Sequence, residues 1–341
     1  KDITTLSKEE IKTFCSENGI RPFVSSQVYS WLWNKGSTSF SDMTNISLKD
    51  RSMFDSEFII NSIDKELEEI SSDRTIKIKF KLQDGNYIEG VLIPKNKRMT
   101  ACISSQVGCS LSCSFCATGT LGLTRNLTVS EIYHQVLHLS NRCIEEYNQP
   151  LTNIVFMGMG EPLLNYKNVL KAIYFITSEE GLNMSYKRIT LSTSGISKMI
   201  RKLADDGVKV NLALSLHAAS EDLRNKIMPI GKSNTLEEIR DSLKYYFSKT
   251  KKKVTYEYVL LRDVNDKIED AINLYKYTKH LSSKVNIIEY NPVEGLEFEK
   301  SSLEKTKKFI DFLYSKGVNV SLRRSRGKDI NAACGQLANK K

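Results

Sequence analysis

No run in the 341-residue sequence is long and apolar enough to span a bilayer. Its opening, Lys1-Asp-Ile-Thr-Thr, lacks the hydrophobic stretch of a secretory signal. These absences exclude a membrane-spanning helix and lead to the expectation of a cytoplasmic protein. The chain has seven cysteines, but they are not scattered as paired staples. In a chain this long, that argues against a secreted disulfide framework and for thiols kept reduced. Acidic residues are the minority: 50 Lys and Arg stand against 40 Asp and Glu, a net charge of +10. The surplus suits a polyanionic partner, although a lysine-rich solvated surface produces the same number. Hydrophobic residues make up 40%, enough for one large core and a small appended domain.

One more absence lies inside the most informative motif. The run Gly108-Cys109-Ser-Leu-Ser-Cys113-Ser-Phe-Cys116-Ala-Thr-Gly119 supplies three cysteines and no fourth. A Cys₄ zinc site or an electron-carrying [4Fe–4S] cluster needs four ligands. Three thiolates, on Cys109, Cys113 and Cys116, would leave one iron open to a small molecule. S-adenosylmethionine (SAM) fits such a position, chelating through its amino and carboxylate groups. The spacing CxxxCxxC, with an aromatic before the last cysteine, resembles the radical-SAM superfamily. There an injected electron breaks the SAM carbon–sulfur bond to give a 5′-deoxyadenosyl radical. The competing reading is a zinc knuckle that borrows Cys102 or a distant cysteine.

Along the chain the pattern changes twice. To about residue 60 it is helical: Ser7 ahead of Lys8-Glu9-Glu10 is an N-cap signature before Ile11 and Phe14. A second run covers 27–33 and a third 47–58. Phe23, Tyr29, Trp31, Trp33 and Phe40 make this module aromatic, which suits an RNA grip or a packed helical cap equally. From Thr75 the period becomes two, over 75–82 and 87–93, on either side of Asp84-Gly85. Asp-Gly tolerates φ > 0, so the alternation predicts a hairpin with Glu89 on its second strand. After Thr100, strands are expected at 101–104, 153–157, 188–192, 210–216, 254–260, 285–290 and 318–322, with helices between. Six βα units and a last strand predict an α/β fold, most of a parallel barrel. The expected divisions are a helical accessory domain at 1–70, a β-hairpin linker at 71–98, and the barrel with a C-terminal cysteine segment at 99–341.

In such a barrel the site lies past the C-terminal strand ends. There the sequence places the cysteine loop, then Met157-Gly-Met-Gly160-Glu161-Pro162, Ser192-Thr193-Ser194, Ser215-Leu216-His217 and Asn291-Pro292. The glycines allow close backbone approach to a ligand, and Glu161 offers a carboxylate to an ammonium. His217 alone is more often a structural histidine than a ligand or base. Cys334 stands among small residues near the end of the chain, and Cys102 lies seven residues before the cluster motif. Cys15 and Cys143 read as buried small hydrophobes.

The segments 102–109, 157–165, 215–217, 290–292 and 332–337 together resemble the RlmN family, and the likeness runs from the N-terminal module to Leu337. Its members are radical-SAM enzymes that methylate C2 of adenosine in 23S rRNA and in tRNA. The related Cfr family methylates C8 of the same rRNA adenosine. Gly160-Glu161-Pro162-Leu163-Leu164 and the run Arg323-Arg-Ser-Arg-Gly327 look more like RlmN. The resemblance implies a partial parallel (βα)₆ barrel of radical-SAM type with the helical domain and hairpin appended. It implies a [4Fe–4S] cluster on Cys109, Cys113 and Cys116, and SAM contacts at Gly160, Glu161, Ser192, Ser215, Leu216, His217 and Asn291. It further implies a methyl-carrying Cys334, a resolving Cys102 that ends in a disulfide with it, and Glu89 as proton acceptor. Two SAM would be used per turnover. The expected partners are 23S rRNA, tRNA and an external reductant such as flavodoxin, with a monomeric chain and no membrane. The basic runs 249–253 and 323–326 are expected to face phosphates or solvent, with contact favoured for the second. From another class, a non-catalytic iron–sulfur RNA-binding protein leaves Cys334 and the polar strand ends unexplained.

Overall fold

The computed structural model describes residues 1–338. Helices α1 (Lys8–Glu17), α2 (Phe23–Trp33) and α3 (Leu48–Glu57) come first. Strands β1 (Ile63–Ile70), β2 (Ile76–Leu82), β3 (Tyr87–Lys95) and β4 (Arg98–Cys102) follow as an antiparallel meander. The cysteine loop lies between β5 (Gln106–Gly108) and β6 (Leu123–Asn126) and contains the short α4 (Ala117–Thr120). The barrel helices are α5 (Val129–Tyr147), α6 (Tyr166–Thr177), α7 (Ser197–Asp205), α8 (Glu221–Ile227), α9 (Leu236–Thr250), α10 (Ile268–Thr278) and α11 (Leu303–Ser315). They alternate with β7 (Asn153–Phe156), β8 (Ile189–Thr193), β9 (Asn211–Ser215), β10 (Val254–Leu260), β11 (Ser283–Glu289) and β12 (Val320–Arg323).

One ten-stranded sheet runs β1-β2-β3-β4-β7-β8-β9-β10-β11-β12. From β4 onward every pairing is parallel. Among the described residues β12 does not close back onto β1, so the barrel is partial. The expected barrel strands are all present. Strand β1 is the difference: residues 63–70 belong to the sheet, not to the helical module. Its sequence, Ile-Asp-Lys-Glu-Leu-Glu-Glu-Ile, is charge-rich because the strand is an edge with most side chains in water.

Local chemistry explains the helix starts. The Ser7 hydroxyl accepts from Glu10 N at 3.2 Å while Glu10 Oε2 accepts from Ser7 N at 2.7 Å, a reciprocal cap. Thr128 with Glu131 and Thr235 with Glu238 repeat it for α5 and α9. The aromatic residues of the first helices mostly face inward: Tyr29, Trp33 and Phe40 are buried. Trp33 stacks on Phe175 of α6 with ring centroids 3.7 Å apart, a contact that adds about 1 kcal/mol beyond its area. Phe23 remains exposed, and Trp31 carries Lys35 over its ring. The packing makes these helices a cap that shares the barrel's core.

The face of the meander that alternation would leave to water is covered. Ile76, Ile78, Phe80 and Leu82 enter the core as the period demands, yet Lys77 and Lys79 are buried too. The C-terminal segment meets Lys77, whose Nζ donates to Ile330 O at 2.6 Å, and Lys79 lies over the Tyr87 ring. Ser71 Oγ donates to Asp329 Oδ1 at 2.6 Å, Ser72 N donates to Asp329 Oδ2 at 2.9 Å, and Gly327 N donates to Asp73 Oδ2 at 3.1 Å. These bonds strap the segment to the β1–β2 turn.

Candidate active site

The C-terminal ends of the parallel strands open into one cavity. Cys109, Cys113 and Cys116 line it, with Gly160, Glu161, Ser192, Ser215, His217 and Cys334. The cysteine loop is tied down on both sides. Cys109 N donates to Gly122 O at 2.8 Å, and Ala117 N donates to Gly335 O at 2.7 Å. The second bond joins the loop to the segment that carries Cys334. Gly108 sits at φ +77°, where a Cβ would lie 1.9 Å from Gly122 O, so only glycine fits.

Burial pushes the Cys109 thiol up to about 11 and raises Cys113 and Cys116. Backbone amides work against it: Leu111 N–H toward Cys109, and Gly119 and Thr118 N–H toward Cys116. Donors aimed at sulfur favour thiolates. Among the described residues no three His, Cys, Asp or Glu side chains converge tightly enough for a single ion. Three thiols around one cavity, two of them met by N–H donors, fit a cluster in which each sulfur takes one iron.

The SAM-contact expectations divide. Glu161 is buried, and burial raises its carboxyl. Its oxygens accept from Ser194 N at 2.7 Å and Leu163 N at 3.1 Å, which holds the group rigidly at the cavity wall. Gly160, at φ +95°, lines the cavity, but the close approach it permits is to the chain itself: a Cβ would lie 2.5 Å from Gln106 Cβ. His217 adopts φ +55° and its Nδ1 accepts from Val259 N at 3.0 Å. Burial, with the Arg224 charge adding to it, lowers the imidazolium to about 3. The neutral ring therefore carries its proton on Nε2, a donor at the cavity wall. Leu216 and Asn291 are buried but do not line the cavity. Leu216 N donates to Glu257 O at 3.0 Å, and Asn291 Nδ2 donates to Ser325 Oγ at 2.8 Å.

Cys102 is buried on β4, paired in register with Val91 and Val155, and close enough to Cys334 to feel its charge. Burial, then Cys334, push its thiol up to about 12, while Arg323 opposes them. All seven cysteines are free, so the expected Cys102–Cys334 disulfide is not formed in this state. Glu89 is buried on β3; its Oε2 accepts from Ala338 N at 2.9 Å, and Lys77 Nζ lies 3.8 Å from Oε1.

Three further side chains matter here, two of them, Arg224 and Glu257, marked by no motif. Arg224 is fully buried on α8 and donates to the carbonyls of Ser194, Ser215 and Leu216, gathering the ends of β8 and β9. Burial lowers its pKa, with Cys113 among the groups that favour the cation. Glu257 lines the cavity, and burial raises its carboxyl. Arg323 faces inward, where Cys334 first, then Glu257 and Cys102, raise its pKa. The rest of its run is divided: Arg324 is exposed, Arg326 donates to Asp73 O at 3.2 Å, and Ser325 accepts from Asn291. The run 249–253 precedes β10, on the face opposite the cavity.

Comparison with known proteins agrees with this architecture. Residues 103–275 match the family model of the radical SAM superfamily, and residues 1–60 match that of the ribosomal RNA large subunit methyltransferase N-terminal domain. A probable dual-specificity RNA methyltransferase RlmN from Flavobacterium psychrophilum is 54% identical over 340 residues, covering 100% of this chain and 98% of that protein. The dual-specificity RNA methyltransferase RlmN of Geobacter sulfurreducens is 42% identical over 339 residues, covering 99% of this chain and 92% of its own. The crystal structure of a radical SAM methyltransferase from Sphaerobacter thermophilus superposes with a TM-score of 0.93 at 36% identity, covering 99% of each chain. With three cluster-competent thiols, a cavity at the parallel strand ends, and relatives matched over its whole length, this chain belongs to the RlmN family of the radical-SAM superfamily, whose cofactors are a [4Fe–4S] cluster and SAM.

Proposed function

We propose that the protein methylates C2 of adenosine in 23S rRNA and in tRNA, through an S-methylcysteine on Cys334 and with two SAM per turnover. The observation that carries this reading is that Cys334 lines the same cavity as Cys109, Cys113 and Cys116, with Cys102 behind it. Adenine C2 is an electron-poor carbon with a non-acidic hydrogen, so it needs a carbon radical to add to it. Cluster and SAM, held by Cys109, Cys113, Cys116 and the Glu161 region, supply the hydrogen-abstracting radical when bound.

The chain's own residues do the rest. The Cys334 thiolate first takes a methyl group by displacement, forming the S–C bond as the sulfonium leaves. Loss of one hydrogen atom leaves a methylene radical on Cys334, which adds to C2 and joins RNA to protein. Glu89 takes the C2 proton, and the surplus electron would pass to the oxidised cluster, so that the ring regains its aromaticity. The Cys102 thiolate then attacks the Cys334 sulfur, breaking its bond to the new carbon. The freed carbon keeps the bonding pair and takes a proton to complete the methyl group; the product departs and a Cys102–Cys334 disulfide remains, to be reduced each turnover by an external reductant. Arg323 supplies a positive charge that favours the Cys102 thiolate.

The target base must leave its stack to reach this cavity, which suits loops and single strands of RNA. The helices of residues 1–60 serve as the accessory RNA domain, with exposed Phe23 as a stacking surface. No helix among the described residues is long and apolar enough to cross a membrane. A reducing, cytoplasmic setting suits the free thiols. Incubation with SAM, reductant and an unmodified 23S rRNA fragment, followed by nucleoside mass spectrometry, should give 2-methyladenosine. Finding only 8-methyladenosine would place the protein on the Cfr side.

A further inference from the structure

The inner surface of a parallel barrel is normally packed with branched apolar side chains. Here one layer is polar across neighbouring strands. Ser215 on β9, Glu257 on β10, Asn286 on β11 and Ser321 on β12 are paired in register. Ser192 on β8 joins them, its Oγ 3.4 Å from Ser215 Oγ. A directed chain of hydrogen bonds runs through one end of this row. Ser321 Oγ donates to Asn286 Oδ1 at 2.8 Å, which turns the Asn286 amide so that Nδ2 donates to Glu257 Oε1 at 2.8 Å. Glu257 is buried at the cavity wall, and its second oxygen, Oε2, has no hydrogen-bond partner. The nearest cation is Arg323, whose Nη1 lies 3.9 Å away, beyond hydrogen-bond reach.

A buried carboxylate oxygen without a donor is costly, so the site is built for a ligand that brings one. Given SAM in this cavity, its donors are the ammonium, the ribose hydroxyls and the adenine amino group. The ammonium belongs near Glu161 and the cluster loop. Ser192 and Ser215 lie between that end and Glu257, so the next part of the molecule along the row is the sugar. We propose that Glu257 is a SAM-binding residue whose Oε2 accepts a hydrogen bond from a ribose hydroxyl, with Asn286 and Ser321 as positioning residues that aim it. Because this contact precedes any RNA, it acts on binding of SAM and not only on turnover.

The test is equilibrium dialysis of SAM, and of its 2′-deoxy and 3′-deoxy ribose analogues, against the cluster-reconstituted enzyme without RNA. Wild-type enzyme should bind one of the two deoxy analogues about tenfold more weakly than SAM, the size of one hydrogen bond to a charged group. Glu257→Gln, with unchanged iron content, should bind SAM about tenfold more weakly and lose its discrimination against that analogue. Asn286→Ala should weaken SAM in the same direction and also narrow the discrimination. If wild-type enzyme binds all three ligands alike, or if Glu257→Gln keeps the discrimination intact, the ribose contact is wrong and Glu257 serves only as counter-charge to Arg323. If no SAM binds to any protein, wild type included, the failure lies with the cofactor assignment itself.

Discussion

The two ends of the sheet hold their functional side chains in opposite ways. In the parallel end each group is set mainly by its own loop or by a neighbouring strand a few tens of residues away: Glu161 by the amides of Leu163 and Ser194, His217 by Val259 of β10, and the cysteine loop by its own ribbon, with one further bond from Ala117 to Gly335. In the antiparallel end, Glu89 and Lys77 are met by residues about 250 positions away, Ala338 and Ile330. The parallel end is thus a preformed receptacle, and the meander is a cradle for the strap that carries Cys334. The division matches the proposed chemistry, in which one end makes the radical and the other carries and releases the methyl group.

The largest effects come from separating the two cysteines of the cradle. Cys334→Ala should abolish RNA methylation outright, since no methyl acceptor remains. Cys102→Ala should still allow methyl transfer and radical addition, but nothing would attack the sulfur. A protein–RNA crosslink should then accumulate as a slow, nuclease-sensitive band on a denaturing gel. Normal turnover by Cys102→Ala with no such band would remove the resolving role and weaken the Cys334 assignment. On the other side of the comparison, Cys113→Ala should lose iron and all SAM cleavage while its far-UV circular dichroism stays native. A full cluster in that variant, or stoichiometric zinc in the wild type, would overturn the ligand set.

Smaller changes sharpen the boundary. Asp329 is held to about 2 by the Ser71 hydroxyl and the Ser72 amide. Asp329→Ala frees the strap there, so Cys334 in the cluster-loaded enzyme should be alkylated by iodoacetamide severalfold faster. Iron content and SAM binding should not change; if both fall, the two ends are not separable. The smallest effect concerns His217, whose pKa drops from 6.5 to about 3. The unfolded chain binds a proton that the folded one refuses between those values, so stability rises with pH across that window and is lost as acid is added. His217→Asn tolerates the positive φ and should remove about 1.5 kcal/mol of the change in urea stability between pH 6.5 and 5. An unchanged slope would mean that the folded imidazole is protonated.

Much of this was legible because it is local. The three cysteines declare themselves by spacing, the βα repeat by alternating periods, and the hairpin by Asp84-Gly85, all within a few residues along the chain. The polar strand ends followed once a barrel was expected, and five of the seven SAM-contact positions do line the cavity. Leu216 and Asn291 do not: Leu216 packs into the core and the Asn291 amide is taken by Ser325, a residue 34 positions on. Strand β1 was missed since a charged edge strand shows little apolar alternation. Arg323 read as a surface cation because a run of arginines looks exposed unless the face it lies on is known.

Sequence alone determined the cofactor class and the parallel architecture, since thiol spacing and hydrophobic period are properties of consecutive residues. Only the tertiary structure decided that Lys77 is buried, that Arg224 gathers the ends of β8 and β9, and that Ser215, Glu257, Asn286 and Ser321 form one row. Those facts depend on sheet register and on a C-terminal strap folding back across the meander. Register is set by the packing of the whole core, and no local pattern encodes which distant residue will cover a given face.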